Sequence, residues 1–113
     1  MSLKLTAVWF ILVGMERRRE PRIPSEIEVR IAGVDAHGEL FAQDAIARSL
    51  SVSGALITGI KYPLRCGDGL FVERNHRQAK FKVVWICNGQ AAVQRLKDEP
   101  CPWKELLGIE AGV

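Results

Sequence analysis

The sequence predicts a mainly all-β fold, an antiparallel barrel or sandwich, of which a small closed barrel finished by a short C-terminal helix fits the length best. Three observations lead there. From Glu26 onward, polar and apolar residues alternate with the period of two that marks half-buried strands. The alternating runs are short and are separated by Gly, Pro, Asn and Asp turn signals. Hardly any stretch carries a long helical period. A chain of 113 residues holds one core, and closing so small a sheet on itself removes its exposed edges.

The elements follow in order. Residues 1–15 form an apolar lead-in whose unbroken run, Ala7 to Val13, is far shorter than the ~20 residues a membrane-spanning helix needs. Lys4 before that run looks like the start of a signal peptide, but arginines stand where a cleavage site would be. Its β-branched and aromatic residues read as a strand or buried segment. The domain proper is residues 16–113, opening with a basic arm over 16–24, "ERRREPRIP". "EIEVRI" is the first strand, and Gly33, Asp35 and Gly38 supply the turn after it. "LFAQDAIARSLS" is the second strand, "GALITGI" the third and "LFVE" the fourth, with Pro63, Gly67 and Gly69 turning the chain between the last two. "RNHRQ" makes a hairpin tip, and "AKFKVVWIC" is the fifth strand with Phe81, Val83 and Trp85 on one face. After Asn88-Gly89, "AAVQRL" is a candidate for one more strand. Pro102 then opens a short helix that Gly108 closes, packed on the barrel.

Composition narrows the function. The chain is 48% hydrophobic and 26% charged, with a formal net charge of +3. A general nucleic-acid binder of this size carries more positive charge, spread along a face. Here the excess is local: Arg17, Arg18, Arg19 and Arg22 stand against Glu16 and Glu20. The three cysteines, Cys66, Cys87 and Cys101, are odd in number and widely spaced, which fits reduced thiols in the cytoplasm and neither a disulfide framework nor a zinc site. His37 and His76 each sit in a turn without a patterned partner, and the carboxylates at Asp35, Asp44, Asp68 and Asp98 fall on separate elements. No nucleophile, metal or phosphate-loop motif is present, so an enzyme is not expected, and neither is a metal or cofactor.

The arginines remain. Arg18 and Arg22 make R-x-x-x-R, with Arg17 extending it; in a chain with ten arginines that spacing alone discriminates nothing. A second feature adds weight. In "ARSLSVSGALI", Ser49, Ser51 and Gly54 stand as S-x-S-x-x-G before an apolar strand, 27 residues after Arg22. A basic R-x-x-x-R arm ahead of an antiparallel barrel, followed at this distance by such a turn, resembles the PilZ domain, the bacterial receptor for cyclic di-GMP. "ERRREPRIPSEIEVRI", "GALI" and "FKVVWI" look like that family's opening, its strand after the second motif and its late barrel strand, so the resemblance spans roughly Glu16 to Asn88.

The resemblance implies a six-stranded antiparallel barrel with the arm lying across one end. It implies that Arg18 and Arg22 contact the nucleotide, with Arg17 as a third candidate, and that Ser49, Ser51 and Gly54 form the second half of the clamp. The chemistry suits these residues. An arginine fork meets guanine O6 and N7 bidentately, stacks on a base and pairs with phosphate. Ser51 offers a small donor and acceptor, and Gly54 lets the backbone turn or the ligand approach. The family's second motif begins with Asp or Asn, where this chain has Ser49. Loss of a charge-assisted hydrogen bond there costs ~1.5–3 kcal/mol, or about one to two decades of affinity.

Three readings follow. The first is a cyclic di-GMP receptor domain, cytoplasmic, that passes its signal to a protein partner. The second is a PilZ-like interaction module that binds no nucleotide, for which Ser49 speaks. The third is a barrel for single-stranded nucleic acid, ranked below the others because aromatics are only 7% of the chain and no DNA or RNA is expected. Pairing of two copies through the apolar lead-in is left open.

Overall fold

The computed structural model describes residues 22–107, and six strands account for most of them. They are β1 (Ile23–Val34), β2 (Leu40–Leu50), β3 (Gly54–Thr58), β4 (Gly69–Arg74), β5 (Arg77–Cys87) and β6 (Gln90–Arg95). The strands close into a barrel in the order β1-β2-β3-β6-β5-β4, every neighbouring pair antiparallel. This is the expected fold, including the sixth strand that "AAVQRL" suggested. The lead-in 1–15 and the arm residues 16–21 lie outside the described residues, and β1 begins at Ile23, within the stretch read as arm.

Turn chemistry sets the connections. Asp35 ends β1, and its Oδ1 accepts from the backbone N–H of His37 and Glu39 at 2.8 and 3.0 Å, tying a tight loop that includes Gly38 at φ 82°. The β4–β5 and β5–β6 links are two-residue hairpins on Asn75-His76 and Asn88-Gly89. All four residues have positive φ, the geometry whose twist matches flanking strands. His37 and His76 are both exposed on these turns. The β3–β4 connection is held by a buried side chain: Gln43 Nε2 donates to the carbonyls of Asp44 and Gly59, both at 2.8 Å, and its Oε1 accepts from Lys61 N–H at 2.7 Å.

A six-stranded barrel has a narrow interior, which a few large side chains fill among many alanines. Ile31, Leu50, Ile57, Leu70, Val72, Phe81 and Val83 point inward with Ala47, Ala55, Ala79 and Ala91 between them. Burial of these side chains supplies the main stabilisation of the fold. Trp85 does not join Phe81 and Val83. The β5–β6 register shifts between Val83 and Trp85, inserting Val84 as a bulge that leaves Trp85 only half-buried. The large ring in the core is instead Trp103, fully buried and tilted against Phe81 with centroids 5.4 Å apart.

Trp103 belongs to a C-terminal segment that closes one end of the barrel. The expected helix is a single 3-10 turn, Lys104–Leu107, with Pro102 buried just before it; Gly108 lies outside the described residues. Arg74 and Arg77, flanking the β4–β5 turn, both reach Glu105, at 2.5 and 2.7 Å. The Arg74 guanidinium, with the local backbone and Arg77 assisting, lowers the Glu105 carboxyl from the ordinary 4.5 to about 2. At the barrel's join, β1 pairs with β4 only through Arg30–Glu73, Ile31–Val72 and Ala32–Phe71.

Candidate functional site

Arg22 and the S-x-S-x-x-G corner lie at the end of the barrel that Trp103 plugs. Arg22 immediately precedes β1, whose first residues pair Ile23 with Leu50 and Pro24 with Ser49. The end of the arginine stretch and the start of the S-x-S-x-x-G stretch are therefore neighbours on adjacent strands. Arg17 and Arg18 lie outside the described residues.

Bulges decide which way Ser49 faces. Strict alternation from buried Ala47 would turn Ser49 inward and Leu50 outward. The β2–β3 register instead shifts between Ala47 and Ser49, and the β1–β2 register between Pro24 and Ile27. Arg48 is the extra residue on β2, so Leu50 enters the core and Ser49 stays half-exposed. Ser25 Oγ donates to the Ala47 carbonyl at 2.8 Å across the irregularity, and Arg48 pairs with Glu26 at 2.5 Å on the surface beside it.

Ser51 and Gly54 are used differently. Ser51 is 1% exposed. Its N–H donates to the Gly54 carbonyl at 2.9 Å, and its hydroxyl accepts from Gly54 N–H at 3.1 Å and lies 3.3 Å from the same carbonyl as a donor. The hydroxyl thus ties the β2–β3 turn to itself. Gly54 has a steric reason to be glycine: a Cβ there would stand 2.4 Å from the Val93 carbonyl oxygen on β6.

The turn is also fastened from outside, by residues that sequence reading passed over. The Trp103 indole N–H donates to the Ser51 carbonyl at 2.8 Å. Arg95 Nε donates to the Val52 carbonyl at 2.9 Å, and Arg95 N–H to the Ser53 carbonyl at 2.6 Å. Arg95 also reaches the Glu99 carbonyl, which binds the C-terminal segment into the same network. Three successive turn carbonyls are thus committed to protein donors. Arg95 reads in sequence only as the end of a strand, and nothing in "EPCPWKELLG" signals that its tryptophan would enter the barrel.

Beside this end, where the β1–β4 pairing stops, an open groove of about 680 Å³ runs between Ile27–Arg30 and the β4–β5 turn. Its walls carry both signs of charge, including Glu28, Glu73, Arg30 and Asp44, the last two paired at 3.1 Å. Among the described residues no group of three His, Cys, Asp or Glu side chains could hold a metal ion, and no helix is long and apolar enough to cross a membrane. Cys66, Cys87 and Cys101 form no disulfide, and Tyr62 stacks on Phe41 with centroids 4.9 Å apart.

A closed antiparallel barrel of this strand order is of PilZ type. Among solved structures, the chain is similar to the PilZ domain of CeSA from a cellulose-synthesizing bacterium. The TM-score is 0.53 and the identity 18%, over 69% of this chain and 82% of that one. At such identity the likeness is one of fold. No protein-family model and no curated protein matches the sequence.

Proposed function

We propose that the chain is a cyclic di-GMP receptor domain, with the dinucleotide held between the arginine arm (Arg17, Arg18, Arg22) and the β2–β3 corner that carries Ser49. The observation that carries this reading is the register of β1 on β2: it pairs Pro24, two residues after Arg22, with Ser49, although Arg22 and Ser49 are 27 residues apart in sequence. A PilZ-type barrel is consistent with it. In this reading Arg22 and Ser49 touch the ligand, while Ser51 and Gly54 shape the corner from within. A corner fixed by Trp103 and Arg95 loses little freedom when a ligand arrives, which favours affinity.

A specific observation favours the second reading, a PilZ-like interaction module without nucleotide. Ser51 spends its hydroxyl on Gly54, and Ser49 is a neutral residue where the resembling family has Asp or Asn. Isothermal titration with cyclic di-GMP separates the two. Saturable binding at micromolar or lower concentration, lost in Arg22→Ala and absent with GTP, is expected of the receptor. If no heat appears in the parent but Ser49→Asp binds, the pocket is formed and the natural chain is the interaction module. No binding by either removes the nucleotide reading.

A further inference from the structure

The end of the barrel remote from Arg22 presents an apolar wall. Val34 and Leu40 are direct cross-strand partners, 48% and 84% exposed. One row along, Phe71, Ala32 and Ala42 line up across β4, β1 and β2, with Phe71 41% exposed. A single exposed leucine needs no explanation. An apolar patch continuous over three strands does, since such patches mark interaction surfaces.

The wall dips between Val34 and Phe71. Gly69 lines the dip without a side chain, with the Lys80 stem beside it, whereas a Cβ on Gly33 would face the core side and meet the Phe41 ring. The hollow measures about 320 Å³, room for one or two large side chains. Cations border it. Lys80 Nζ lies 5.8 Å from the Phe71 ring centroid, Lys82 stands opposite Gly69 on β5, and Arg65 lines the hollow. None of the three forms an ion pair with a described carboxylate. The nearby carboxylates are engaged locally, Asp68 by the Arg65 backbone N–H and Asp35 by its own loop.

We propose that this face docks a segment of a partner protein that is acidic and carries large apolar side chains. Apolar anchors fill the hollow and cover Leu40, while carboxylates meet Lys80, Lys82 and Arg65. A second copy of the chain fits less well, because an isologous contact would bring the same lysines face to face. An anionic membrane is also less suited, since the hollow is shaped for side chains and few cations surround it. The face lies ten residues along β1 from Pro24, roughly 30 Å at strand rise, so the inference stands independently of the nucleotide reading.

The test is selection of displayed random peptides on the full chain, then fluorescence anisotropy with the best binder. Enriched sequences should combine Asp or Glu with Leu, Phe or Trp. Leu40→Ser/Phe71→Ser, which leaves the core intact, should weaken the binder about ten- to a hundredfold, with far-ultraviolet circular dichroism verifying the fold. Lys80→Glu/Lys82→Glu should weaken it about tenfold, added salt should weaken it further, and Arg22→Ala should bind like the parent. The proposal fails if no peptide is enriched, if enriched peptides lack acidic residues, or if they bind the Leu40/Phe71 variant equally. It fails equally if the patch instead serves anionic vesicles, or a concentration-dependent dimer abolished by Leu40→Ser.

Discussion

Trp103 does two things at once, and two substitutions separate them. Trp103→Ala removes the ring from the barrel mouth and the donor from the Ser51 carbonyl. Large aromatic-to-alanine changes in a core cost ~3–5 kcal/mol. A domain of 113 residues has roughly 6–17 kcal/mol of stability in all, so the loss is a large share. Trp103→Phe keeps an aromatic ring against Phe81 but leaves the buried Ser51 carbonyl without its indole partner, at about 1–3 kcal/mol. Urea unfolding followed by circular dichroism reads both, and the midpoint should fall in that order at an unchanged m value. The backbone N–H groups around Gly54 should also exchange faster in Trp103→Phe than in the parent. If Trp103→Ala costs under about 1 kcal/mol, the C-terminal segment is not part of the cooperative core. The β2–β3 corner would then stand without it, and the reasoning about a fixed corner would be refuted.

Three further outcomes are expected. Gly54→Ala forces β3 and β6 apart at the Val93 carbonyl, a clash with backbone that cannot rotate away; a loss of ~1–3 kcal/mol, seen as a melting point lower by at least several degrees, checks it. Because the Glu105 carboxyl titrates near 2 when folded and near 4.5 when unconstrained, its contribution is complete above pH 4.5 and drains away as pH falls toward 2. The carboxylate is 46% exposed, so solvent screening holds that contribution to about 1 kcal/mol or less; Glu105→Gln should remove this slice of the acid-stability curve and little else. Gln43→Leu strips the Gly59 carbonyl and Lys61 N–H of their partner; both belong to exposed residues that water can reach, so a stability loss of ~1–3 kcal/mol in urea is expected, about 0.5–1.5 kcal/mol for each hydrogen bond lost.

Most strands were legible because one face of each packs on the core, which imprints alternation on the sequence. "EIEVRI" and "AKFKV" show it plainly. Legibility stopped where both faces are apolar or where a bulge intervenes. In Val84-Trp85-Ile86 there is no polar residue to reveal the register, so the bulge that takes Trp85 out of the core has no sequence signature. Ser49 raised the same problem: only the extra residue Arg48 turns it to the surface. The S-x-S-x-x-G spacing located the right corner but not its division of labour. Which hydroxyl faces out and which ties the turn depends on Gly54 approaching Val93, a contact between strands distant in sequence. Trp103 and Arg95 were illegible for the same reason, since their partners lie 52 and 43 residues away.

The join of the barrel has a consequence for how the molecule breathes. Elsewhere β1 is zipped to β2 along nearly its whole length, yet the cylinder is shut by just Arg30–Ala32 against Phe71–Glu73. Parting those rungs would uncurl the cylinder into a ribbon without breaking any other ladder. The first half of β1 is thus held on its β2 side, away from the short clasp, with Arg22 at its start. A contact made at Arg22 therefore reinforces the β1–β2 ladder, which is long already, and leaves the clasp the shortest ladder of the cylinder.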